Sequence, residues 1–366
     1  MAKFGIGQPV RRVGGPRPFP RQRRHTPDIT RPGRAHLVVV RSPHPHARIR
    51  SVRTDTAKAA PGVLAVVTAA DMEAMGDNAL PCFIPMTNRD GSEAPLPKHP
   101  IVAGDKARYV GDNVAFVVAE TKSQARDGAE LVEVDYEPLG AVADTAGALT
   151  TRTTPVHDEC PGNLAYDWHH GDAAAVDAAF AKATHVTRLE LINNRLVCNP
   201  MEPRAAVAEW NAAEGSVTVH TCTQGPWAFR DTIAKNLGLP NEKVRVVTPD
   251  VGGGFGMKAM FYPEYTMAAA AAKLLGRPVK WTSERSEGFL SDSQGRDHVT
   301  TAELAFDGGK RILAMRVTTV ANMGAYYYFF APYIPTGAAL KVLPGVYDIP
   351  FLSYGGTSMV TSWMFL

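Results

Sequence analysis

The chain has 366 residues, of which 45% are hydrophobic and 20% charged, and its formal net charge is +3. This is the composition of a globular protein with enough apolar material for a sizeable core, and the length suggests two or three domains. The longest uncharged stretch, 317–340, contains Gly324, Pro332 and Pro335, which excludes a membrane-spanning helix there.

The basic residues are concentrated at the start of the chain. Residues 1–53 carry Lys3, twelve arginines and one acid, Asp28, so the remaining 26 basic and 35 acidic residues make the rest of the chain acidic. Because arginine alternates with proline here, we interpret residues 1–34 as a solvated or disordered arm. A phosphate- or membrane-binding arm is the alternative. Nucleic-acid binding would need a folded basic face with interleaved aromatics, so we expect no nucleic-acid partner.

Residues 35–141 are predicted to form a compact α+β unit. β-branched or alternating runs predict strands at 35–40, 47–54, 63–68, 113–119 and 132–136. Short helices are predicted at 69–75 and 123–131. Five prolines and a cluster of charges make 76–100 a loop.

A segment rich in Thr, Ala, Pro and Gly, 142–165, is interpreted as a linker to a second α+β unit at 166–366. Helices are predicted at 172–183, 226–237 and 263–275, the last two ended by Gly238 and Gly276. Strands are predicted at 184–191, 205–209, 216–222, 244–248, 279–281 and 311–320.

The sharpest local motif is the glycine run 251–258, Val-Gly-Gly-Gly-Phe-Gly-Met-Lys, between a predicted strand and helix. Glycines allow a ligand to approach the backbone, and main-chain N–H groups at a helix start suit an anion or an oxo group. It fits neither common phosphate motif, because Met257 replaces the last glycine of GxGxxG and Gly-Met-Lys-Ala replaces the Walker sequence. A purely structural glycine turn is the alternative.

Three further polar residues lie near predicted strand ends. Gln224, between a strand and a helix, could donate a hydrogen bond in the cleft of the glycine run, or it could be an ordinary loop residue. Glu202 could be a general acid or base, but a charge buried against Arg204 or the backbone is favoured. The four cysteines form no CxxC pair, which argues against disulfides and iron–sulfur sites and fits a cytoplasmic protein.

These segments, in this order, resemble the molybdopterin-binding large subunit of the xanthine dehydrogenase, carbon monoxide dehydrogenase and aldehyde oxidase family. Residues 5–12 resemble its N-terminus, and residues 41–49, 110–115 and 133–138 resemble its a/b hammerhead domain. Residues 199–204, 223–224, 252–258 and 284–287 resemble its first molybdopterin-binding domain. The predicted fold is therefore a hammerhead domain followed by an incomplete molybdopterin-binding α+β domain.

The resemblance implies a molybdenum–molybdopterin cofactor, in the cytosine dinucleotide form, and oxidative hydroxylation of an aldehyde, a heterocycle or carbon monoxide. Gln224 and Phe255 would contact oxo ligands of the molybdenum, and Gly253, Gly254 and Gly256 would shape the cofactor loop. Electrons would pass to iron–sulfur and FAD subunits on separate chains.

The chain departs from the family pattern at three places. Ala259 stands where purine-oxidising members carry a substrate-binding glutamate, which argues against xanthine. The family chain is about twice as long, so the catalytic base is expected beyond Leu366, with a second chain as one possible source. Residues 14–24 and 351–366 do not resemble the family, and a shifted reading frame or truncated gene is our hypothesis. The alternative function is a non-catalytic remnant or assembly module without metal.

Overall fold

The structure is a computed structural model that describes residues 24–150, 155–339 and 343–358, with side chains described as far as 355. The first unit contains β1 (Ala35–Arg41), β2 (Ala47–Arg53), α1 (Asp55–Lys58), β3 (Val63–Val67), α2 (Ala69–Met75), β4 (Lys106–Ala107), β5 (Asn113–Ala119), α3 (Lys122–Glu130) and β6 (Glu133–Pro138). All the strands predicted at 35–141 are present, within a few residues of the expected ends. The molecule is thus α+β, as predicted.

The second unit begins with β7 (Leu164–Gly171), α4 (Ala173–Ala181), β8 (His185–Asn193), β9 (Ala205–Asn211), β10 (Ser216–Thr221), α5 (Pro226–Asn236) and β11 (Val244–Val247). It continues with α6 (Pro263–Leu275), β12 (Val279–Thr282), α7 (Arg285–Ser291), β13 (His298–Phe306), β14 (Ile312–Asn322) and β15 (Phe351–Ser358). Sequence patterns did not predict β7, β13 or β15.

Strands from both units form one seven-stranded sheet in the order β11-β10-β9-β12-β1-β5-β3. β1 joins the two units, because Ala35 pairs with Val279 in β12 while residues further along β1 pair with β5. β5 lies inside the sheet and all seven of its residues are buried, which explains its continuous apolar sequence. The sheet therefore crosses the boundary that the sequence predicted at 142–165.

The helix α6 positions the loop that precedes it. Its residues from Pro263 to Ala272 are buried on every side, as expected of a helix without a polar face. It ends at Gly276, which has φ +63° and whose N–H bonds to the Ala272 carbonyl. Phe229 of α5 and Phe261 pack edge to face at 5.1 Å in the same core.

The predicted solvated arm is wrong for the part that the structure describes. Thr26 is fully buried, its N–H donates to Glu202 Oε1 at 3.2 Å, and Arg31 forms an ion pair with Glu209 at 2.8 Å. Residues 24–34 therefore pack against the second unit; residues 1–23 of the predicted arm lie outside the described residues. The segment 142–165 is also partly structured, since Ala148 is buried and β7 starts at Leu164.

Five other strands form a separate sheet in the order β7-β15-β14-β13-β8, and the last three, β4, β2 and β6, form a third. The region 351–358, which was expected to depart from the fold, is strand β15 and runs parallel to β14. Within the described residues, none of the helices is both long and apolar enough to span a bilayer.

Candidate cofactor site

The site lies where two parallel neighbouring strands end. β10 leads through Gln224 into α5, and β11 leads into the glycine loop, defined here as residues 252–258. Because parallel strands end at the same edge of a sheet, ligands characteristically bind there, in the crevice beyond their carboxyl ends. The predicted convergence of Gln224 and the glycine loop follows from this topology.

Direct contacts join Gln224 to the loop. The Gly256 N–H donates to Gln224 Oε1 at 3.0 Å, and the Gln224 N–H donates to the Lys258 carbonyl at 3.0 Å. A Cβ on Gly254 would lie 2.6 Å from Gln224 Oε1, so a side chain at position 254 would displace Gln224 from its present position. The side-chain amide nitrogen of Gln224 has no hydrogen-bond acceptor in the described part of the chain and remains able to donate to a ligand.

The loop has a backbone that favours glycine at two positions. Gly253 has φ +102° and Gly256 has φ +79°, while Phe255 has φ +53°, which is uncommon for a residue with a Cβ. The Phe255 side chain is 71% exposed. An exposed aromatic ring on a strained backbone is a feature found at binding sites, where a ligand or another polypeptide compensates the strain.

Buried Glu202 holds the start and the end of the loop together. Its Oε2 accepts the Gly252 N–H at 2.7 Å and lies 2.9 Å from Lys258 Nζ, and Lys258 has no exposed side-chain surface. A Cβ on Gly252 would lie 2.6 Å from Glu202 Cβ. The expected burial of Glu202 is confirmed, but its charged partner is Lys258 rather than Arg204.

Arg204 belongs to a second buried charge cluster, which lies behind the loop. Arg204 pairs with Glu264 at 2.8 Å and Asp292 at 2.5 Å, and Arg41 of β1 pairs with Glu264 at 2.6 Å and with Glu287 at 2.6 Å. Burial opposes ionisation of Glu264, but Arg204 and Arg41 outweigh it and lower its pKa to about 2. The cluster therefore ties the first unit to α6 and α7. Sequence analysis found Arg204 but missed its acidic partners, because they are 60 or more residues away.

A cavity of about 430 Å³ opens beside Phe255 and Gly256. Its wall contains an aromatic group, Tyr109, Tyr262, Tyr326, Tyr328 and Phe330, together with charged residues such as Arg195 and Asp297. Ala259 also lines it, so a methyl group is present at this position, while the carboxylates of the wall belong to Glu264, Asp292 and Asp297. The volume is in the range of small-molecule pockets.

No three His, Cys, Asp or Glu side chains cluster as metal ligands anywhere in the described ranges. A metal at this site would consequently need most of its ligands from a bound organic group. Main-chain N–H groups, a donating carboxamide and glycines that permit close approach suit the oxygens of such a group. The residues therefore fit a metal that arrives already complexed.

Comparison with known proteins defines the class. Residues 156–364 match the family described as "Molybdopterin cofactor-binding domain", and residues 22–140 match "Aldehyde oxidase and xanthine dehydrogenase, a/b hammerhead domain". The chain is thus a molybdopterin-binding protein in which a hammerhead domain precedes the cofactor-binding domain. The first match extends to residue 364, which corrects the expectation that 351–366 do not resemble the family.

Relatives place the chain more narrowly. It is 35% identical to the carbon monoxide dehydrogenase large chain of Afipia carboxidovorans over 88% of this chain and 40% of that protein. It is 33% identical to the nicotine 6-hydroxylase large subunit of Paenarthrobacter nicotinovorans over 98% of this chain and 43% of that protein. Quinoline 2-oxidoreductase from Pseudomonas putida 86 superposes with a TM-score of 0.82 at 30% identity, covering 93% of this chain and 42% of that one.

The chain therefore belongs to the xanthine dehydrogenase, carbon monoxide dehydrogenase and aldehyde oxidase family, in the molybdopterin-binding part of its large subunit. It spans about 40% of the length of the carbon monoxide dehydrogenase large chain and 43% of the nicotine hydroxylase subunit. These relatives oxidise very different compounds according to their names, so membership of the family leaves the substrate open.

Proposed function

We propose that this chain binds molybdenum–molybdopterin, in the cytosine dinucleotide form, on the surface formed by Gln224 and the glycine loop. The supporting observation is the 3.0 Å hydrogen bond from Gly256 N–H to Gln224 Oε1, which engages the amide oxygen and leaves the amide nitrogen of Gln224 able to donate to a ligand. Gln224 and Phe255 would contact oxo ligands of the metal, and Gly253, Gly254 and Gly256 would let the cofactor approach the backbone. The bound cofactor would supply two-electron oxidation with oxygen transfer to carbon.

The roles of the chain's own residues are binding and orientation. Gln224 would donate one hydrogen bond to an oxo group, and its own oxygen is already used to fix the loop. Glu202 and Lys258 hold the two ends of the loop from behind, out of contact with water. The general base for hydroxylation is assigned to no residue of this chain and is proposed to come from the polypeptide by which the relatives are longer.

We infer that the substrate is a compound that needs no hydrogen bond from a carboxylate at position 259, where this chain has Ala259. In the cavity wall, the Ala259 side chain can offer only van der Waals contact. A purine would lose the hydrogen bonds that a glutamate there provides, whereas an aldehyde, a less polar heterocycle or carbon monoxide would not. Iron–sulfur and FAD subunits on separate chains would accept the electrons. A further chain could supply the remaining large-subunit sequence. We propose that the complex is cytoplasmic.

Metal analysis of the purified protein tests the cofactor assignment. We expect molybdenum close to one equivalent per chain after expression in a host that makes the cofactor, and a marked loss in Gln224→Ala. Gln124→Ala is the matched control, because Gln124 lies on α3 and contacts Thr121 rather than the glycine loop. Folded wild-type protein without molybdenum would overturn the proposal.

That result would support the second candidate, a remnant or assembly module without metal. The observation in its favour is that Phe255, on the glycine loop, is 71% exposed. Circular dichroism of the metal-free protein separates a folded module from a chain that failed to fold.

A further inference from the structure

Residues 24–31, here called the strap, run against β9 and reach the glycine loop. Thr26–Asp28 form a single turn of 3₁₀ helix that contacts β9. Thr26 has no exposed surface, and Arg31 pairs with Glu209 of β9 at 2.8 Å. This burial arises within the described chain itself, so it does not depend on what covers the remainder of the surface.

The Glu202 carboxylate connects the strap to both ends of the glycine loop. Its Oε1 accepts the Thr26 N–H at 3.2 Å, while its Oε2 accepts the Gly252 N–H at 2.7 Å and lies 2.9 Å from Lys258 Nζ. Three separate parts of the chain therefore donate to one buried carboxylate. Among the described residues no other group donates to Oε1. Release of the strap would leave this buried oxygen unsatisfied, which is costly.

The strap also holds the chain just before the loop begins. The Asp250 N–H donates to the Arg24 carbonyl at 3.1 Å, and the Arg24 N–H donates to Asp250 Oδ2 at 3.1 Å. A Cβ on Gly252 would lie 3.4 Å from His25 Cδ2, so the strap lies directly against the first residue of the loop. The strap uses its own main chain in all of its hydrogen bonds to Glu202 and Asp250.

A different set of contacts fastens the strap to the seven-stranded sheet. Lys280 of β12 donates to the Ile29 carbonyl at 3.1 Å and also to the Pro27 carbonyl. Arg31 adds the ion pair with Glu209 of β9. β12 and β9 do not lead into the glycine loop, which follows β11. The strap therefore connects the middle of the sheet with the loop at its edge.

We propose that the strap is a positioning element of the cofactor site, which holds Gly252 and Lys258 through Glu202 and so favours the loop conformation that receives the cofactor. Coupling between two sites is reciprocal, so a bound cofactor holds the strap in place to the same extent. The identity of the ligand rests on the proposed function, whereas the coupling of strap and loop rests only on contacts within this chain.

Hydrogen exchange of the metal-free protein, followed by mass spectrometry, tests the coupling. Thr26→Pro removes the N–H that Glu202 accepts, and proline suits this place, because Thr26 is the first residue of a helical turn and His25 before it is extended. We expect a peptide spanning 252–258 to exchange about tenfold faster or more, since a hydrogen bond to a charged group is lost. Thr26→Val keeps the N–H and should exchange at the wild-type rate.

A second variant loosens the strap from its other side. Lys280→Met removes the donor to Ile29 and Pro27 without changing Glu202, so the loop peptide should again exchange faster than in the wild type. The matched control is Ala173→Pro, which places a proline at the first position of α4, where the helix does not use the N–H. It should leave the loop unchanged.

Circular dichroism shows whether each variant is folded. A folded Thr26→Pro variant whose loop exchanges as slowly as that of Thr26→Val would overturn the proposal, and Lys280→Met decides in the same way if Thr26→Pro does not fold. In molybdenum-loaded protein, Thr26→Pro should retain less metal than Thr26→Val, and equal retention would overturn the link to the cofactor. Wild-type protein without molybdenum would contradict the proposed function alone, because the exchange comparison uses metal-free protein.

Discussion

The buried pair of Glu202 and Lys258 gives the sharpest test of how the glycine loop is held. Lys258→Met keeps the length of the side chain but leaves the Glu202 carboxylate buried with only the Gly252 and Thr26 N–H groups as donors. Removing one partner of a buried pair typically costs about 3–5 kcal/mol, because the other charge remains without compensation. We expect the free energy of unfolding of Lys258→Met to fall by about that amount.

Glu202→Gln should cost a similar amount, because it strands the Lys258 ammonium in the interior. The double variant Glu202→Gln/Lys258→Met removes both charges. Its cost should be smaller than the sum of the two single costs by about 2 kcal/mol or more, since contacting residues couple on this scale. Urea unfolding followed by tryptophan fluorescence measures all three values, and metal analysis shows whether loss of the pair also weakens cofactor retention.

Arg53→Met is the control, since Arg53 and Glu133 form a pair of exposed side chains that should contribute at most about 1 kcal/mol. The reasoning is refuted if Lys258→Met costs no more than Arg53→Met, or if the costs of the two single substitutions simply add in the double variant.

Three further predictions concern the buried charge cluster, the glycine loop and two buried histidines. Arg204→Met leaves Asp292 buried without its guanidinium and Glu264 with that of Arg41 alone, and we expect urea unfolding to show a loss of about 3–5 kcal/mol. Gly254→Ala drives a Cβ against Gln224 and should lower molybdenum content, whereas Gly308→Ala, where a Cβ would meet only Thr184 Oγ1 at 3.8 Å in an exposed turn, should not. Burial lowers the pKa of His99 to about 3 and that of His157 to about 4, so their stabilisation is complete above the unfolded value of 6.5 and is lost as the pH falls. The urea midpoint should therefore drop between about pH 7 and about pH 5, and it should drop less in His99→Phe. Burial raises the pKa of Asp112 to about 6, which acts in the opposite direction but involves one group against two. A midpoint that does not change with pH would contradict the burial of the two neutral histidines.

Local sequence patterns were sufficient to predict the strands and helices that surround the site. The apolar run of β5 and the glycine that ends α6 are consequences of burial and of backbone conformation at single positions. The proximity of Gln224 and the glycine loop could be predicted from the sequence, because each follows a predicted strand in a pattern that resembles a known family. Their mutual hydrogen bonds agree with that expectation.

Long-range pairing was not readable from the sequence. β13 has a mostly half-buried pattern on both faces, so it lacks the alternation that identifies a strand with one buried side. The pairing of Ala35 with Val279 joins residues more than 240 positions apart, and no local signal records it. For the same reason the sequence shows the charges of Arg41 and Glu264 but does not reveal that the two residues form an ion pair.

The Arg41 cluster bears on whether the cofactor site can exist in the second unit alone. Arg41 belongs to the hammerhead, yet it contacts Glu264 at the start of α6, the helix that directly follows the glycine loop. Arg204 cannot by itself neutralise Glu264, Glu287 and Asp292, and burying the excess negative charge would be costly without Arg41. Together with β1 in the shared sheet, this indicates that the hammerhead is part of the structure that sets the position of Phe255 and Gly256. A fragment beginning at residue 155 should accordingly fail to form a stable site even though it contains every predicted cofactor-binding residue.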